Sequence, residues 1–346
     1  MINERELASV LLRERIGNAV DVFGAFDNCF FNSYAVYVLA NNLPFPEDLF
    51  TPNPENKNSP AERLKEIFKS KDDLEIFSTR HQQGFPGSQA SEMLAEKSLV
   101  LGVLYREWFV DQLLKNKNHR DELFSNDVTT KVSFLKLINA YRSNDENTVL
   151  SDDRMAPIYL ANRDFFQKLS KTPQGGEEQD FLDYWNNEGY KKYCKRIASP
   201  YVKVSFTDFD PVLKANNVHY TLYSKQDASI TASNEGDASS PHFELAISER
   251  GAHYTLLKDN RTEVPLRLYQ ASMVQYKEDR EAILNMNGTK EDKTADCRSK
   301  PSQLVAATCP RDTFAIADPI QVLIATTTEI KTSVSQRTLQ TESRIP

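Results

Sequence analysis

Hydrophobic positions along the chain change their spacing twice, and the changes divide it into regions. Residues 4–16 set Leu7, Val10, Leu11 and Leu12 among charges, the spacing of a short amphipathic helix. A loop through 21–28 follows. Residues 29–39 are then apolar on every side, as in a buried helix that opens at or near Cys29. Asn41, Asn42 and Pro44 supply its stop signal. Three prolines and three asparagines in 51–60 mark a junction. From there to about residue 198 helical spacing dominates, most clearly over 61–69, 88–116, 131–142 and 180–197, with Ser88 as an N-cap. Trp108 and Trp185 fall inside two of these helices and are expected in the core or in a groove.

Beyond Tyr201 the spacing shortens. Val202 and Val204 alternate with Lys203 and Ser205 like a short strand. Asp210 and Pro211 form a helix start, as N-cap and first helical residue. Residues 218–223 are β-rich, and 225–241 form a polar stretch expected to be a loop. Residues 243–247 and 253–257 predict an antiparallel pair around a turn at 249–251. Three strands beside a buried helix predict an α+β core. One further helix is predicted over 267–285. Residues 286–303 are polar and expected to be loose, and the stretch from Thr326 lacks a packing pattern.

Composition narrows the function classes. A chain of 346 residues accommodates two domains, or one domain with a large insertion. Forty-two basic against 49 acidic residues give a net charge of −7, the wrong balance for gripping phosphate backbones, so nucleic acid is not the expected partner. The charged opening residues hold no secretory signal of the Sec type. The apolar stretch 314–325 is broken by Asp318 and Pro319 and falls short of the roughly 20 residues that span a bilayer. No transmembrane segment is expected. The setting is cytoplasmic, with export that bypasses the Sec route as the other possibility. Cys29, Cys194, Cys297 and Cys309 form no CxxC pair, which gives no support to a zinc site and favours reduced thiols.

Cys29 is the strongest candidate for chemistry. A cysteine that ends a glycine-containing loop and opens a buried helix sits where amide groups and the helix dipole stabilise a thiolate. The same amides can serve a developing oxyanion. A free thiol has a pKa of about 8.5, so attack at neutral pH needs a histidine beside it. His81 and His119 lie in polar stretches and read as surface residues, while His219 opens a strand and His242 precedes one. His253 begins a β-rich segment just after a glycine turn, where a strand end would hold it rigidly.

Asp27-Asn28-Cys29-Phe30-Phe31 resembles the cysteine signature of the OTU (ovarian tumour) family of cysteine-protease deubiquitinases. The stretches 243–247 and Ala252-His253-Tyr254 resemble that family's final strand pair, in which an aromatic residue follows the catalytic histidine. Residues 210–223 are similar to its helix-then-strand unit. The order of the three blocks also agrees, over roughly 15–40 and 200–258. The resemblance implies a papain-like OTU core with a small sheet, Cys29 as nucleophile, His253 as base, and Asp27 and Asn28 in the oxyanion loop. It implies hydrolysis of ubiquitin conjugates or polyubiquitin, with no metal or organic cofactor.

The chain departs from the family pattern at several points, among them Asp27 in place of the usual Gly. The signature aspartate commonly lies three positions before the cysteine, where Phe26 stands here, and the third triad member commonly two after the histidine, where Thr255 stands. Some members recruit an acid from upstream of the cysteine, and Asp21 is the candidate for that role. The interval between Cys29 and His253 is also long and helical, which resembles the OTU effectors of intracellular bacteria, the Legionella type. On that likeness, residues 1–50 and 200–260 form the catalytic core, 60–198 an inserted helical arm that holds ubiquitin, and 261–346 a partly disordered C-terminal extension. A ubiquitin-binding scaffold on a decayed protease fold is the rival reading, and an acyltransferase using the same cysteine–histidine pair is a third.

Overall fold

The structure is a computed structural model that describes residues 4–22, 24, 27–74, 89–123, 134–152, 155–169, 177–236, 240–248, 253–259 and most of 262–274. Helix α1 (Glu4–Gly17) leads into strand β1 (Val20–Asp21) and then α2 (Cys29–Ala40). The helical segment holds α3 (Pro60–Ile67), α4 (Gln89–Lys115), α5 (Lys117–Glu122), α6 (Phe134–Arg142), α7 (Asn147–Leu150), α8 (Met155–Ala161), α9 (Arg163–Leu169), α10 (Glu177–Tyr184) and α11 (Tyr190–Ala198). Helix α12 (Phe206–Ala215) precedes β2 (His219–Ser224), β3 (Ile230–Asn234), β4 (His242–Ile247) and β5 (Tyr254–Leu256). This is the α+β architecture the sequence predicts.

Among the described residues the strands run in the order β1-β5-β4-β2-β3. Strands β4 and β5 form the expected antiparallel pair, with Ala246 opposite Thr255, while their predicted turn lies outside the described residues. Strand β2 runs parallel to β4 and antiparallel to β3. Strand β1, whose second residue falls in the stretch expected as a loop, closes the other edge by placing Asp21 opposite Thr255.

Helix α2 is the centre of the molecule. Residues 29–38 are all buried, so the helix has no polar face, as its unbroken apolar run requires. The Phe30 ring meets Phe109 of α4, Phe206 and Phe209 of α12, Phe243 of β4 and Tyr254 of β5, with centroids 5.6–6.3 Å apart. Burying such a ring contributes on the order of 1.5–3 kcal/mol. Tyr34 adds an edge contact to Tyr105 of α4 at 5.0 Å. Helix α4 therefore shares one continuous core with the sheet and α2. The first residue of α2 thus lies one position from a ring packed on α4, α12 and β5.

Several sequence expectations are corrected. Residues 202–205 form no strand but an irregular connection. Helix α12 begins at Phe206, not at Pro211, because Asp208 reaches back to the Ser205 amide at 3.2 Å and sets the start. Pro211 lies inside that helix. The polar stretch 225–241 contains β3, an edge strand exposed at Ile230, Thr231 and Ser233, whose half-buried positions are only Ala232 and Asn234, so it shows no apolar face to detect. The run 180–197 is interrupted by a π-helical turn, Trp185–Gly189. His119 is buried rather than superficial, with Nδ1 2.9 Å from the Tyr190 hydroxyl. Both tryptophans are buried as expected, Trp108 donating to Asp48 and Trp185 to the Arg120 carbonyl. Ser88, His81, Cys297, Cys309, most of the helix predicted over 267–285 and everything beyond it lie outside the described residues.

Candidate active site

Nine residues of chain carry an acid, a thiol and the turn between them. Asp21 ends β1, and Cys29 opens α2. His253 immediately precedes β5, held by its carbonyl, which accepts the Ser248 amide at 3.0 Å. Cross-strand partners share a face of a sheet, and so do residues two apart along a strand. Asp21 lies opposite Thr255, and Thr255 is two residues after His253, so the carboxylate and the imidazole emerge on the same side. They meet there: Nε2 of His253 lies 2.5 Å from Oδ1 of Asp21.

Gly24 sets the path of the loop. A Cβ on it would stand 3.2 Å from Cε1 and Nδ1 of His253 and 3.6 Å from Cβ of Cys29. The backbone thus passes close over the imidazole on its way to the cysteine. With Nε2–H donated to Asp21, Nδ1 is the ring nitrogen left for the thiol, and His253 hydrogen-bonds Cys29. Cys29 is 7% exposed, and the His253 and Asp21 side chains are 34% and 67% exposed, so the line runs from a buried thiol to an open carboxylate.

That line sets the charge of the ring. Its hydrogen bond to Cys29 raises the His253 pKa above 6.5, partial burial opposes this, and the bond to Asp21 raises it further. The folded state binds this proton more tightly than the unfolded chain. The resulting stabilisation is complete below the unfolded value and is lost as pH rises through the folded one. In urea unfolding, the wild-type chain should therefore exceed His253→Gln in stability by more near pH 6 than near pH 9. A difference constant across that interval would contradict the arrangement.

The sequence points to Cys29, His253, Asp21, Asp27 and Asn28, and the fold brings them to one end of α2. Asp27 is left-handed at φ 52°, a conformation aspartate tolerates better than most residues, and it turns the chain into α2. Asn28 is the buried N-cap of that helix. Phe26 lies outside the described residues. Thr255 is buried, with its hydroxyl 3.3 Å from the Ala246 carbonyl, so the strand itself occupies it. Two neighbours went unnamed. Arg106 of α4 donates to the Asp27 carbonyl and to Oδ1 of Asn28, and Gly102, one turn earlier, lies against Asn28 and Asn32. The available signal was a cation inside the apolar run 99–110.

Among the described residues no group of His, Cys, Asp and Glu could hold a metal ion, and no helix is long and apolar enough to cross a membrane.

No protein-family model and no curated protein matches the chain. Among solved structures, that of the Legionella pneumophila deubiquitinase Ceg23 matches with a TM-score of 0.67 at 32% identity, over 91% of this chain and 99% of that one. The chain belongs to the Ceg23 family.

Proposed function

We propose that this protein is a cysteine-type deubiquitinase of the OTU kind, a bacterial effector that hydrolyses isopeptide bonds after the C-terminal glycine of ubiquitin inside host cells. The reading is carried by one observation: His253 meets the Asp21 carboxylate through Nε2 and also hydrogen-bonds the thiol of Cys29, which opens a buried helix. Membership of the Ceg23 family supports ubiquitin as the substrate.

In this chemistry the Cys29 sulfur attacks the glycine carbonyl while its proton passes to Nδ1 of His253. The oxygen of the tetrahedral intermediate is taken up by amides at the start of α2. Collapse expels the lysine amine, which receives the proton from the imidazolium, and leaves a thioester on Cys29. Water, deprotonated by the same nitrogen, then releases the glycine carboxylate. Asp21 holds the ring and balances its positive charge. An acid supplied from β1 fills the role that Thr255 cannot, because a neutral hydroxyl does not stabilise an imidazolium as a carboxylate does. The helices of 60–198 would hold ubiquitin.

A panel of di-ubiquitins with the wild-type chain tests the reading, together with a ubiquitin propargylamide probe. Cleavage of at least one linkage and one covalent adduct at Cys29 are expected. Ubiquitin binding without cleavage or adduct would replace the enzyme with a scaffold, and amine incorporation in place of hydrolysis would make it an acyltransferase.

A further inference from the structure

Beside the thiol, the protein buries a cation against the turn that carries it. Arg106 is 1% exposed and spreads its guanidinium over four acceptors. Nε donates to the Ile197 carbonyl at 2.7 Å and Nη2 to the Val202 carbonyl at 2.5 Å. Nη1 is shared between the Asp27 carbonyl at 3.2 Å and Oδ1 of Asn28 at 3.3 Å. The group lies over the Phe31 ring, 5.3 Å from its centroid. Burial lowers its pKa to about 9, while the charges of Asp27 and Cys29 favour the protonated form, so it is a cation at neutral pH. The next residue along α4, Glu107, faces another way and pairs with Lys65 at 2.8 Å.

The consequence lies in Asn28. An asparagine at an N-cap ordinarily turns its oxygen onto the amide of the second or third helical residue, here Phe30 or Phe31. Asn28 makes no such bond. Its Oδ1 accepts from Arg106, and its Nδ2 donates to Oδ1 of Asn32 at 2.9 Å. Gly102 provides the room for that amide pair, since a Cβ there would come within 1.9 Å of Oδ1 of Asn32 and 3.0 Å of Nδ2 of Asn28. The first turn of α2 is therefore not capped by its own N-cap side chain, and it adjoins the thiol.

Resting on the deubiquitinase reading for the reaction served, we propose that Arg106 is a positioning residue: it holds the Asn28 side chain off the first turn of α2 and so keeps those amides available for the substrate carbonyl oxygen. Without the guanidinium fork, Oδ1 of Asn28 folds back, caps the amides and occupies the place of the oxyanion. Arg106 also grips the carbonyls of Ile197 and Val202, where the helical segment returns to the sheet, so the turn is tied to that crossing.

Arg106→Lys is the informative variant, because it keeps the positive charge near Cys29 but its single ammonium cannot reproduce the planar fork. On a ubiquitin substrate kcat should fall about 100-fold with KM within about twofold, the size of loss expected when an oxyanion donor is removed. Alkylation of Cys29 by iodoacetamide needs the thiolate and no oxyanion amides, so its rate should stay within about threefold of wild type. Gly102→Ala displaces the same amide pair from the other side with Arg106 intact, in a helix that alanine favours, and should give the same split. It decides the matter alone if Arg106→Lys does not fold.

Amide hydrogen exchange reads the rearrangement without any substrate, so it stands even if ubiquitin is not the substrate. Phe30 and Phe31 amides should exchange about tenfold more slowly in either variant, as capped groups do. Unchanged exchange would overturn the proposal, as would kcat within about threefold of wild type in an enzyme that cleaves ubiquitin. A parallel fall in kcat, alkylation and Tm would reduce Arg106 to a packing residue.

Discussion

Cys29→Ala is expected to lower cleavage of ubiquitin chains by about 10⁴-fold or more and to abolish addition of the propargylamide probe, because no other group can form the acyl intermediate. The fold should survive. The sulfur is small, and the packing of α2 rests on Phe30 and the rings around it rather than on the thiol. Ubiquitin binding should be retained, so the variant separates recognition from chemistry. Gel assays of di-ubiquitin with calorimetric binding in parallel provide the check. Cleavage that persists in Cys29→Ala would move the nucleophile elsewhere and remove the basis of the reaction proposed for His253.

Asp21→Asn is the second large expectation. The amide oxygen can still accept Nε2–H, so the ring stays in place, but the charge that balances the imidazolium is gone. Loss of the equivalent buried aspartate in serine proteases costs about 10⁴ in kcat. Asp21 is two-thirds exposed, so water replaces part of its field, and a fall of about 10³ in kcat with little change in KM is expected here. Steady-state kinetics on one di-ubiquitin linkage measures it. Activity within about fivefold of wild type would show that His253 needs no acid, a result at odds with the field a 2.5 Å carboxylate exerts.

The elements easiest to read in advance were those whose side chains face a single environment. Helix α2 and strand β5 are buried throughout, and β4 alternates buried Phe243 and Leu245 with half-buried His242 and Glu244, so burial is written directly into residue type. Strand β3 was hidden for the opposite reason: an edge strand in water has no apolar side to display. The start of α12 was misplaced because Asp210-Pro211 is a strong local signal, while the deciding bond runs from the Ser205 amide to Asp208. His119 sits among polar residues in sequence and is covered by Tyr190, seventy-one positions away.

The candidate site divides along the same line. Local sequence placed a cysteine at a helix start, a histidine at a strand end and an acid ahead of the loop, because turn, helix and strand preferences act over a few residues. That the acid and imidazole meet followed from the pairing of β1 with β5, a contact across 232 positions that no local preference encodes. The place of Arg106 was decided by tertiary packing alone. A buried guanidinium must find acceptors, and those it found belong to three stretches of chain that only the folded protein brings to one point.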